Sequence, residues 1–109
     1  MGVEVYLRDE RGRELQGLAD PAGGTFDAAG NFDRLVPRAD DETYPCWRAV
    51  DRDETTVFFS QEMPAFLLEL ARIRMSARSD LERRGLDRLR VMAERCLSDS
   101  ALALWFCGD

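Results

Sequence analysis

Thr55-Thr56-Val57-Phe58-Phe59-Ser60-Gln61-Glu62-Met63-Pro64-Ala65-Phe66-Leu67-Leu68-Glu69-Leu70-Ala71-Arg72-Ile73 has the pattern of a β-strand running straight into an amphipathic helix. Its first five residues are β-branched or aromatic, the composition of a strand. Thr55, Val57 and Phe59 face one way, Thr56 and Phe58 the other, so apolar groups on both sides predict an interior strand. Ser60 stands where a helix N-cap is expected, its hydroxyl accepting from a free N–H of the first turn. Pro64 falls within that turn, where a missing N–H costs little. On a helical wheel Met63, Phe66, Leu67, Leu70, Ile73 and Ala77 form one stripe. Leu68, Ala71 and Met75 widen it, while Glu62, Glu69, Arg72 and Ser76 hold the other side. So wide an apolar face predicts two neighbours, a sheet and a second helix. Arg74, inside the stripe, is expected to snorkel out at the helix end or to pair with a buried carboxylate.

Toward the C-terminus, Ser79-Asp80-Leu81-Glu82 has the spacing of a capping box, in which Ser79 and Glu82 satisfy each other's backbone donors. It predicts a second helix running to about Leu97. Leu81, Gly85, Leu89, Met92, Ala93 and Cys96 line one face of it, with Leu86 and Leu97 at the border. Arg83 with Asp87, and Arg90 with Glu94, stand at the i,i+4 spacing of ion pairs. Arg84, Arg88 and Arg95 follow one edge of the polar face, a candidate site for phosphate or an acidic partner patch. Ala101 to Cys107 is almost wholly apolar and predicts a buried last strand.

Toward the N-terminus, Val3 to Arg8 alternates with period two, and Arg13 to Ala19 returns after the turn residues Asp9-Glu10-Arg11-Gly12. A long connection follows to about Pro45, carrying the acidic cluster Asp40, Asp41 and Glu42. Phe26, Phe32, Leu35 and Val36 are expected to pin it to the body. Cys46 to Val50 reads as a strand, joined to Thr55–Phe59 by the tight turn Asp51-Arg52-Asp53-Glu54. The order β-β-loop-β-β-α-α-β predicts a single α+β domain over 1–109: an antiparallel sheet of about five strands with two helices on one face. The last strand is expected to lie beside the first.

Thr56-Val57-Phe58, followed by Gln61 and Met63-Pro64, resembles a pattern in small uncharacterised bacterial proteins, where a Thr-Val-Phe strand leads into a Gln-containing helix start. The resemblance covers about ten residues and implies no activity.

Composition narrows the chemistry. All 15 basic residues are arginine, and the chain has neither lysine nor histidine. That excludes a histidine base, a Ser-His or Cys-His pair, an imidazole metal ligand, a Schiff-base lysine and a Walker lysine. Cys46, Cys96 and Cys107 are too far apart for CxxC and too few for a zinc site without histidine. No metal and no cofactor are expected. An odd cysteine count without a secretory leader reads as reduced thiols in a soluble, cytoplasmic protein, and no apolar run approaches a membrane span.

The net charge of −6 is concentrated in residues 1–60, which hold 13 acids against 7 arginines; residues 61–109 hold 8 of each. An acidic first half argues against general nucleic-acid binding and suits a basic protein partner. These features favour a non-enzymatic protein-binding module of immunity, antitoxin or regulatory type, acting through Asp40, Asp41 and Glu42 and the Arg84–Arg88–Arg95 edge. One alternative is a self-associating module using a sheet edge, Trp47 or Trp105. The other is a small carboxylate or thiol enzyme drawing on Glu62, Asp51, Asp53 or Cys46. Gln61, at the strand-to-helix junction, is the remaining candidate.

Overall fold

The computed structural model describes residues 4–17, 44–50 and 53–107. Among them are four strands, β1 (Glu4–Arg8), β2 (Glu14–Gly17), β3 (Thr55–Phe59) and β4 (Ala103–Cys107). Two α-helices, α1 (Met63–Arg74) and α2 (Asp80–Ser98), and 3-10 turns at Trp47–Ala49 and Ser60–Glu62 complete the order. The architecture is α+β, as predicted: an antiparallel sheet in the order β2-β1-β4-β3 with two helices against it.

The N-terminal hairpin forms where alternation and turn chemistry place it. The Asp9 carboxylate accepts from the N–H groups of Arg11 and Arg13, both at 2.9 Å, and from Arg13 Nε at 3.1 Å. Gly12, at φ +78°, supplies the left-handed residue that closes the turn. These bonds, led by the one from the Arg13 backbone, hold the Asp9 carboxyl below its ordinary range. The last strand, β4, pairs with the first as expected and also with β3, so the most apolar strand lies inside the sheet.

One sheet face and both helices share a single core. Val5, Leu7, Phe58, Leu104 and Phe106 meet Met63, Phe66, Leu70 and Ile73 of α1 and Leu86, Leu89, Met92 and Cys96 of α2. At its centre Trp47 stacks on Phe66 (5.2 Å between centroids, 17° between planes) and meets Phe106 edge-on at 5.8 Å. Phe58 joins the same cluster through Phe66 and Phe106.

Several expectations are corrected. Cys46–Val50 is no strand: Arg48 donates to the Tyr44 carbonyl, Ala49 to Cys46 and Val50 to Trp47, while the N–H groups of Cys46 and Trp47 go to the Glu69 carboxylate, leaving none for a ladder. The sheet of the described residues therefore has four strands, close to the five expected, and among them this segment forms no ladder with β3. Among the described residues β3 is an edge strand rather than interior, and its two aromatics divide by face, Phe58 buried in the core shared with the helices and Phe59 55% exposed on the other side. Ser60 does not cap α1; its hydroxyl donates to the Leu97 carbonyl at 3.3 Å, tying the start of one helix to the end of the other. The Glu62 carboxylate accepts from the Phe59 N–H at 2.7 Å, which caps the 3-10 turn Ser60–Glu62, and α1 starts from that turn with no side-chain cap of its own.

Ser79 does cap α2, accepting from the Glu82 N–H at 3.1 Å. The buried Glu82 carboxylate, however, reaches back to the N–H of Arg78, not to that of Ser79. The ion pair of Arg83 also differs from the i,i+4 partner expected for it. Arg83 pairs with Asp80 at 2.6 Å, because Asp87 is taken by Arg74 of the other helix at 2.7 and 3.1 Å. Arg74 thus meets a half-exposed carboxylate, not a buried one. This hydrogen-bonded pair lowers the Asp87 pKa and raises that of Arg74. Its contribution is therefore present above the ordinary aspartate range and lost as pH falls through the depressed value.

Candidate functional site

Thiol and carboxylate chemistry meet at one place among the described residues, where the 3-10 turn Trp47–Ala49 abuts α1. Glu69 lies three residues after Phe66 and four before Ile73, so the helix carries it inward beside two core side chains. It is 4% exposed. One carboxylate oxygen accepts from the N–H groups of Cys46 and Trp47, both at 3.0 Å, and the other from Cys46 at 3.1 Å. Placing Glu69 on the polar side of the helix is thus corrected; its charge is held inside by backbone donors.

That arrangement disarms Cys46. Burial first, then hydrogen bonding to Glu69, then the negative charges of Glu69 and Glu62 push the thiol up to about 12. A reactive cysteine needs the reverse, a neighbouring positive charge or a base. Cys96 is pushed up to about 11, chiefly by burial, and its thiol donates to the Leu102 carbonyl at 3.6 Å. Cys107 is half-buried in β4.

The other candidates are not brought together. Glu62 is engaged in capping and Asp53 is exposed ahead of β3, while Asp51 falls outside the described residues. Gln61 is exposed in the 3-10 turn Ser60–Glu62. Asp40, Asp41 and Glu42 also lie outside the described residues. Arg84, Arg88 and Arg95 are all exposed on α2. No group of three or more Cys, Asp or Glu side chains among the described residues is arranged to hold a metal ion. No helix among them is long and apolar enough to cross a membrane.

The two tryptophans part company. Trp47 has no exposed surface and sits in the aromatic centre of the core, which removes it as a self-association surface. Trp105 is half-buried in β4, with the Arg8 guanidinium 4.7 Å from its ring and 5.2 Å from that of Tyr6. Beside it, a cleft of about 310 Å³ is lined by Asp9, Phe59, Leu102 and Trp105, among others.

The helical layer holds what the sequence reading missed. α1 meets both expected neighbours, the sheet and α2, yet Leu68 is 69% exposed and Met75 86%, on a further side that neither covers. Alongside it, a groove of about 350 Å³ runs between the helices, floored by Leu67, Leu70 and Leu86 and edged by Arg74, Asp87 and Arg90. The signal was present in the wheel: no single flat neighbour can cover a helix that is apolar nearly all round. No protein-family model, curated protein or solved structure matches the chain.

Proposed function

We propose that the chain is a non-enzymatic protein-binding module of immunity, antitoxin or regulatory type. The observation that carries this reading is the use to which its polar chemistry is put. The thiol and carboxylates that converge in the structure, Cys46, Glu69 and Glu62, are committed to backbone donors or raised out of the reactive range. Large apolar side chains meanwhile stand exposed on the helices, as on surfaces that meet other proteins. Asp40, Asp41 and Glu42 are proposed to meet basic groups of the partner, and the Arg84–Arg88–Arg95 edge of α2 to meet acidic ones.

Purification of the tagged chain from its source cells, followed by reconstitution with the recovered partner, tests the reading. A stoichiometric complex that weakens with added salt is expected. A chain that recovers no partner at any salt concentration overturns it.

A further inference from the structure

We propose that the outer face of α1, with the groove it shares with α2, docks an acidic amphipathic helix of a partner protein. The inference rests on the binding-module reading and names the partner's chemistry.

Pro64, Leu68, Ala71 and Met75 recur at spacings of four, three and four residues, and all four are exposed. That spacing keeps them in one line along a helix about 18 Å long. The line lies opposite the core-facing residues Met63, Phe66, Leu70 and Ile73, so nothing in the core needs it to be apolar. Ala71 also borders the groove, joining the line to the apolar floor of Leu67, Leu70 and Leu86. A continuous apolar track beside a groove is what the apolar face of a second helix packs into, with anchors at i, i+3 or i+4, and i+7. Met75 adds an unbranched side chain that fits varied partners.

Charge selects the occupant. Residues 63–98 carry eight arginines and five acids, but Glu69 and Glu82 are buried on backbone donors. Three acids, Asp80, Asp87 and Glu94, then face eight arginines on the surface of the layer, in a chain whose net charge is −6. At the groove itself Arg74 is matched by Asp87, which leaves Arg90 to set the sign, and Arg72 follows Leu68 by one turn. A partner with glutamate or aspartate flanking its apolar anchors complements this rim. A second copy does not, since two-fold pairing through the same track sets one net-cationic rim against another. Nucleic acid would leave the apolar line uncovered.

The test is a selection of 18-residue helical peptides from a displayed library against the full chain, with affinities read by fluorescence anisotropy. Enriched peptides should carry Leu, Ile, Met or Phe at helical spacing with Asp or Glu beside them. Leu68→Glu and Met75→Glu should each weaken the best peptide at least tenfold, while Glu10→Ala on the hairpin turn leaves it within twofold. Both track positions are exposed, so the variants should melt with the wild type. The proposal is overturned by enrichment of basic peptides, by no enrichment, or by binding that Leu68→Glu leaves intact. It is equally overturned if Leu68→Glu acts by dissolving a dimer or by abolishing binding of a single-stranded RNA probe. A cellular partner that survives Leu68→Glu removes the docking groove but leaves the binding-module reading standing; recovery of no partner removes the latter.

Discussion

Replacing Glu69 by alanine is expected to lower the free energy of unfolding by about 3–5 kcal/mol. The carboxylate is 4% exposed and serves the N–H groups of Cys46 and Trp47. Removing it strands two donors where water has little access, at about 1–3 kcal/mol each. The small cavity left by the side chain adds to that. Against a total stability of about 5–15 kcal/mol, such a loss is visible as a large fall in the denaturant midpoint without a matching change in slope. Glu69→Gln keeps one carbonyl acceptor and should lose clearly less. Equal losses from the two variants would show that the hydrogen bonds are not the cause.

Trp47→Ala should be as damaging, by about 3–5 kcal/mol, for a different reason. The indole is fully buried, stacked on Phe66 and edge-on to Phe106, so its loss opens the centre of the aromatic cluster. Trp47→Phe preserves a ring against Phe66 and should retain more stability. The two sites are coupled, because Glu69 fixes the backbone that seats Trp47. The double variant Glu69→Ala with Trp47→Ala should therefore cost less than the sum of the single losses, measured as a double-mutant cycle in urea. Strict additivity would mean that the carboxylate and the indole act independently.

The parts of the fold legible in sequence were those with local causes. Alternation in Val5 and Leu7, the Asp9–Gly12 turn and the Ser79 cap each act within a few residues, and each appears in place. The errors had distant causes. Cys46-Trp47-Arg48-Ala49-Val50 has strand composition, but its first two donors go to a carboxylate 22 and 23 positions later. Alternation in Thr55–Phe59 could not separate an edge strand from an interior one, since strand order is set by pairing with the distant β4. Glu69 was open to a closer reading, being in register with Phe66 and Ile73 on the core side of the helix.

The candidate site followed the same division. Without histidine and lysine several mechanisms could be excluded from the residue list alone. The meeting of Cys46 with Glu69 needed the tertiary structure, as did the outward turn of Leu68 and Met75. The structure also shifts the charge argument from the acidic first half to the helical layer. Residues 63–98 hold eight arginines against five acids, and burial of Glu69 and Glu82 takes two of those acids off the surface, although residues 61–109 balance to zero with Glu62, Asp99 and Asp109.

The cluster of Cys46, Glu69 and Trp47 acts as a clamp for the fold, with its thiol held out of the reactive range. The most direct test is the pH dependence of Cys46 alkylation by iodoacetamide in the native protein, resolved by peptide mass spectrometry. A thiol pushed up to about 12 requires a rate that is slow at neutral pH and still rising above pH ~10. In Glu69→Gln the profile should move to lower pH, as loss of the carboxylate charge favours the thiolate. An inflection in the wild type at or below pH ~7.5, the range of activated cysteines, would contradict the account.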